Sequence, residues 1–178
     1  MSQLAGPNDI SGSRSQIADD RFAHAAMLVG RVVLAFLWIQ NVRWKVPPDF
    51  DALAMFTGFA VEHPVFPPYS ALVESVILPN IAVFGWFVVI AESLIGAFLL
   101  VGLLTRFWAL VSFAQSFVIF LSVGLTPAEW PWSYYLMMIT SLLLAGAAAG
   151  RVWGLDALLR PHWLAGSSTA SRWLARAS

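Results

Sequence analysis

Four long stretches nearly free of charge run through this 178-residue chain, and they constrain its fold more than any other feature. A helix crossing bilayer hydrocarbon needs roughly 20 consecutive apolar residues, because backbone in lipid has no water to bond to. The stretches predict spans at about 24–43, 80–104, 106–125 and 132–150. The expected fold is therefore an all-α membrane protein: a four-transmembrane-helix bundle with an extracytoplasmic helical loop, 44–79, between the first two spans. Composition agrees, since charged residues make up 11% of the chain, against about 25% in soluble domains. Ten basic and ten acidic residues cancel, which leaves no global field to attract a polyanion, so nucleic acid is not an expected partner. The absence of cysteine excludes disulfides, thiol redox chemistry, cysteine-held iron–sulfur clusters and thiolate zinc sites.

Residues 1–21 are polar and read as a flexible cytoplasmic N-terminus, 22–160 as the membrane domain and 161–178 as a cytoplasmic tail. No short apolar core with a small-residue cleavage site precedes the first span, so a cleaved signal peptide is not expected. Arg14, Arg21, Arg106, Arg151, Arg160, Arg172 and Arg176 fall on one side of the spans, and only Arg43 and Lys45 on the other. That bias puts both termini in the cytoplasm. Trp44, Trp130 and Trp132 lie at the outer span ends and Trp108 and Trp153 at the inner ones, as amphipathic rings prefer. Trp38 and Trp86 lie deeper and are expected to face other helices. Thr105 is placed to cap the third span, and Gly146 and Gly150 to form a close-packing face. Asp156 and Arg160 are spaced as an i, i+4 pair on an interfacial helix. The basic tail SSTASRWLARAS suits a weak contact with anionic lipid.

The loop between the first two spans is aromatic and proline-rich rather than hydrophilic. Leu72, Val73, Val76 and Ile77 share one helical face, with Ser70 and Glu74 opposite, so Pro68 to Leu78 reads as a short amphipathic helix on the membrane surface. Phe50 to Val61 carries a weaker version of the pattern. Together they predict a hydrophobic lid, either over a site or serving only to pack.

Two ionisable residues lie inside the spans, Arg31 and Glu92, where a charge costs about 2.5–3.5 kcal/mol even on the mild insertion scale. Counted from the cytoplasmic ends at 1.5 Å per residue, Arg31 lies about 10 Å deep and Glu92 about 18 Å. Gln115, Thr140 and Ser141 lie at roughly 14 Å on the same count. One polar layer is expected, turned inward, with Arg31 paired to Glu92. Such a pair is either a site, with Glu92 exchanging protons and Arg31 steadying an anionic or carbonyl ligand, or a structural clamp. Arg31, Trp38 and Lys45 recur every seven residues and form one stripe joining this layer to the outer loop. His24, His63 and His162 are spread along the chain so widely that no haem or metal site is expected. No glycine-rich phosphate loop or nucleophile motif is present.

Three stretches in order carry a resemblance: GRVVLAFLWIQNVRWKVPPDF, then ESLIGAFLLVGLLTRFWAL, then GRVWGLDALL. With them the chain resembles the DoxX/DoxD family of small four-span bacterial and archaeal membrane proteins. The resemblance implies a four-helix bundle in the prokaryotic inner membrane and, in the DoxD branch, the small membrane subunit of thiosulfate:quinone oxidoreductase. That enzyme oxidises thiosulfate to tetrathionate and passes the electrons to membrane quinone. Arg31, Lys45, Glu92 and Arg106 are the matching charged positions, with Trp44, Asp49 and Asp156 around them. The expected function is accordingly a membrane subunit of a quinone-linked oxidoreductase, working with membrane lipid and with a partner subunit or a second copy. Glu92 and Arg31 are its catalytic candidates; Trp38, Trp44, Lys45, Gln115 and Ser141 would surround the quinone; Arg106, Gly150, Arg151 and Asp156 would hold the structural motif. Quinone is the cofactor expected, with no metal or haem. A non-catalytic scaffold or anchor for a respiratory or sulfur-metabolism complex is the alternative, and a small-solute transporter a lesser one.

Overall fold

The computed structural model describes residues 21–178, and every regular element among them is helical. The segment before residue 21, Arg14 included, lies outside the described residues. Three helical stretches are long and apolar enough to cross a membrane: Arg21–Val42, Pro67–Val101 and Thr105–Val123. We number the helices α1 (Arg21–Val42), α2 (Asp51–Glu62), α3 (Pro67–Leu72), α4 (Ile81–Val101), α5 (Thr105–Val123), α6 (Pro131–Ala147), α7 (Leu155–Ala165) and α8 (Thr169–Ala177). α6, at 17 residues, is about 25 Å long and starts with proline at its first turn, where no backbone donor is needed. α1 packs on α4, α5 on α6, and the α4–α5 and α1–α6 contacts close the bundle. The core is Leu34, Ala35, Trp38, Ile95, Leu99, Ala109, Leu144 and their neighbours. Phe36, Phe87, Ile90, Leu110 and Leu143 are each more than half exposed on these helices, while Glu92, Ser112 and Ser141 are fully buried. Apolar outside and polar inside is the arrangement lipid requires, and the chain is a membrane protein.

The expected short surface helix at Pro68–Leu78 is corrected by the structure. Helix α3 does not stop there: it runs through a π-helical turn at Val73–Ile77 and a 3-10 turn at Leu78–Asn80 into α4, as one stretch of 35 residues. Pro79 lacks a backbone donor and disrupts the regular ladder, so the helix changes pitch instead of ending. At 1.5 Å per residue this stretch is about 50 Å long, well beyond the roughly 30 Å of hydrocarbon. α2 packs on α5 and on the π turn and roofs that end of the bundle. Phe50, just before α2, takes a left-handed backbone (φ 54°), and its buried ring fills the space left by Gly85, where any Cβ would collide with it. Trp86 is half exposed and meets Phe50 edge-on at 5.8 Å, instead of facing another helix.

At the opposite end, a clasp replaces the caps read from sequence. Thr105 does not cap α5; its hydroxyl is buried without a partner. Asp156 does so from a distant turn, its carboxylate accepting the Leu104 N–H at 2.7 Å and the Thr105 N–H at 2.9 Å. The Asp156 N–H donates to the Gly102 carbonyl at 2.9 Å. A carboxylate offers two oxygens and a full charge to the positive end of a helix, which a hydroxyl cannot match. Being so engaged, Asp156 forms no ion pair with Arg160. Gly150 lies against Thr105 and Asp156 with no room for a Cβ, whereas Gly146 faces open space. The AGAAAG run is therefore not a single packing face: α6 ends at Ala147 and Gly150 belongs to the turn that seats the clasp. Arginines satisfy the carbonyls left at the helix ends. Arg106 donates to Ala145 O (3.1 Å) and Gly146 O (3.4 Å), and Arg31 to Leu99 O (3.1 Å), Leu100 O (3.3 Å) and Trp153 O (3.4 Å). α7 runs across position 160, and α8 docks on α5 through Trp173 and Phe107, 5.6 Å between ring centres.

Candidate functional site

Three helices bring polar side chains to one buried point. Glu92, near the middle of α4, is fully buried, and its Oε2 accepts a 2.7 Å hydrogen bond from Lys45 Nζ. Its Oε1 accepts from Asn41 Nδ2 (3.2 Å) on α1 and from Gln115 Nε2 (3.3 Å) on α5. Lys45 lies beyond the end of α1, where a turn closed by its own N–H on Val42 O folds the chain back. From there Nζ reaches Glu92, donates to Asn41 O at 2.7 Å, and lies 4.2 Å from the centre of the Trp44 ring. The indole N–H of Trp44 donates to Asn41 Oδ1 at 3.2 Å, which fixes the amide so that its nitrogen faces Glu92. Burial pulls the Lys45 ammonium below the ordinary lysine range, and the charge of Glu92 and its hydrogen bond oppose that fall.

A cavity of about 550 Å³ opens beside this pair, within the size range of small-molecule sites. Its walls are mainly apolar, with Leu37, Leu53, Phe56, Phe84, Val88 and Ile119 among them. Lys45, Glu92, Asn41, Gln115 and Trp44 supply polar groups at its inner part. About 10 Å further along α5 lies a second polar group, where Tyr69 and Ser122 hydroxyls meet at 2.8 Å. Tyr134 donates to Glu129 Oε2 at 3.0 Å, also on the cavity wall. A mostly apolar chamber with a carboxylate and an ammonium at its base can take an apolar ligand with a polar head, and can donate or accept protons at that head.

The structure gathers Glu92, Lys45, Trp44 and Gln115 around this cavity but not the whole expected set. Arg31 does not pair with Glu92; it holds the carbonyl end of α4, because those unsatisfied acceptors lie nearer than the carboxylate. Trp38 and Ser141 form a separate buried chain, Trp38 Nε1 donating to Ser112 Oγ at 2.8 Å and Ser112 meeting Ser141 at 2.8 Å. Neither lines the cavity. Arg106, Gly150 and Asp156 build the clasp, and Arg151 donates to Ser178 O at 2.8 Å. Asn41, Ser112, Tyr69 and Tyr134 were not singled out from sequence. Asn41 lies in the last turn of α1, and the turn after Val42 brings Lys45 back onto it, a pairing that helical spacing does not reveal.

Among the described residues no group of three His, Asp or Glu side chains is placed to hold a metal ion. No curated protein and no solved structure matches the chain. The model of the family described as "TQO small subunit DoxD" matches residues 28–176, which span the four-helix region, the clasp and most of α8.

Proposed function

This chain belongs to the DoxD family, and from that premise we propose that it is the quinone-binding membrane subunit of a thiosulfate:quinone oxidoreductase-like complex. The observation that carries the proposal is the apolar cavity with the Lys45–Glu92 pair at its base. A bound quinone supplies an acceptor for electrons and protons together. Oxidising thiosulfate to tetrathionate releases electrons but no protons, so the protons of the quinol must come from the protein or from water. Lys45 Nζ would donate a hydrogen bond to a ring carbonyl and Glu92 would hold a proton beside it. Asn41 and Gln115 would keep the carboxylate oriented, while the apolar walls exclude water and receive an isoprenoid tail. Without cysteine the chain leaves electron storage to a partner subunit.

In this reading α6 is a fourth span, and the arginine-rich end carrying Arg106 and Arg151 faces the cytoplasm of a prokaryotic inner membrane, with both termini on that side. Among the described residues, Arg43 and Lys45 are the only arginine and lysine at the other end. A scaffold is the competing reading, favoured by the way Lys45 and Glu92 satisfy each other's hydrogen bonds. Titrating a short-chain quinone against tryptophan fluorescence separates the two, since Trp44 is on the cavity wall. Val88→Phe adds volume one turn from Glu92 without touching the ion pair. The quinone site predicts binding weakened at least about tenfold, or roughly 1.4 kcal/mol. Unchanged binding in a folded variant would reject the site.

A further inference from the structure

The end of the bundle opposite Lys45 carries Arg21, Arg106, Arg151, Arg160, Arg172 and Arg176. Among the described residues it has one acidic side chain, Asp156, and the α5 clasp occupies it. Arg106, Arg151 and Arg160 come together where α5 begins and the chain leaves α6. Arg106 holds Ala145 O and Gly146 O, which leaves its remaining guanidinium nitrogen uncommitted. Arg151 gives Nη2 to Ser178 O, while its Nε and that of Arg160 are buried with no protein acceptor. Burial, and then the like charges of Arg160 and Arg106, hold Arg151 below the ordinary arginine range. Three converging guanidinium groups share one side-chain acid, Asp156, whose hydrogen bonds go to the α5 clasp, so the cluster is a site short of an anion.

Beside Arg151 runs an open groove of about 470 Å³ lined by Val101, Val152, Trp153, Leu155 and Leu158. His24 also lines it, and Trp153 is 65% exposed and Leu158 67%, so the groove is mainly apolar and unfilled by the chain's own packing. It begins at Val101, the last residue of α4, and so lies where a membrane helix meets the headgroup layer. Cation at one edge and apolar wall along the other match a molecule with an anionic head and a hydrocarbon tail. We propose that Arg106, Arg151 and Arg160 bind the phosphate of an anionic phospholipid whose acyl chain lies along this groove. The site is separate from the Glu92 cavity and does not depend on what occupies it.

The test uses the full chain, delipidated in detergent, with lipid binding followed by native mass spectrometry. Phosphatidylglycerol, phosphatidylcholine and inorganic phosphate are the probes. Phosphatidylglycerol is expected to bind more tightly than phosphatidylcholine, and inorganic phosphate not to displace it. Arg160→Gln removes no hydrogen bond made in the fold, and with Arg151→Gln it should weaken phosphatidylglycerol binding roughly fivefold per arginine. Arg172→Gln with Arg176→Gln, at the same end but outside the cluster, should leave binding unchanged. Thermal unfolding without lipid verifies that each variant is folded. Equal affinity for the two lipids, equal binding by the Arg151/Arg160 variant and wild type, or an equal loss in the Arg172/Arg176 variant would overturn the proposal. Displacement by inorganic phosphate would overturn it as well, by making this a site for a soluble anion.

Discussion

Replacing Asp156 by alanine is expected to destabilise the folded chain by about 3–5 kcal/mol, which would appear as a large fall in the thermal midpoint in detergent. Two backbone donors, the part-buried Leu104 N–H and the buried Thr105 N–H, lose a charged acceptor at once, and each such bond contributes about 1.5–3 kcal/mol. Asp156→Asn keeps one acceptor oxygen and should lose roughly half as much. A change within about 0.5 kcal/mol for the alanine variant, as at an ordinary surface position, would show that the clasp does not hold α5.

Breaking the Lys45–Glu92 pair from either side is expected to cost about 3–5 kcal/mol, because each single substitution strands a charge where water cannot reach it. Glu92 is fully buried and Lys45 is 5% exposed, so little solvent screening softens the loss. Lys45→Met and Glu92→Gln should each be costly, and the double variant should recover most of the loss, giving a coupling of about 2 kcal/mol or more. The measurement is a double-mutant cycle on unfolding free energies in one detergent. Additive losses would mean that the two groups do not depend on each other in the folded protein.

Much of this architecture was legible in the sequence because lipid imposes a simple rule on composition. The first and third spans stand within a few residues of their predicted ends, and Arg31, Trp38 and Lys45 are all buried, although Lys45 lies beyond α1 and does not continue its stripe. The polar layer also lies inside, with Glu92, Gln115 and Ser141 all on inward faces. What failed was the choice of partners. Pairing the two charges inside the spans joined Arg31 to Glu92 across a depth difference of about 8 Å, yet depth counting ignored that every helix end offers unsatisfied carbonyls, and these took Arg31. It also stopped at the end of α1, so it did not foresee the turn that sends Lys45 back into the bundle.

The same limit explains Asp156. Local spacing pointed to Arg160, while the strongest demand on a carboxylate was an uncapped helix start some 50 positions earlier in the chain. Such long-range pairings leave little periodic trace. The quoted GLLTR and GRVWGLD segments are nonetheless the two halves of this one clasp, meeting through Gly102, Gly150 and Asp156. The helix through Pro79 was misjudged for a different reason. Proline disfavours a helix interior, but in a membrane helix the freed backbone groups can be satisfied by π and 3-10 turns, as they are at Val73–Ile77 and Leu78–Asn80.

The measurement that bears most directly on the proposed function is the quinone content of the protein extracted in mild detergent with its native lipid. Wild type, Glu92→Gln and Val88→Phe would be compared at equal protein and equal lipid, after confirming that each is folded. A quinone site at the Lys45–Glu92 base predicts near-stoichiometric quinone in wild type and a fall toward the lipid background in both variants. Quinone at the lipid background in all three proteins would contradict it.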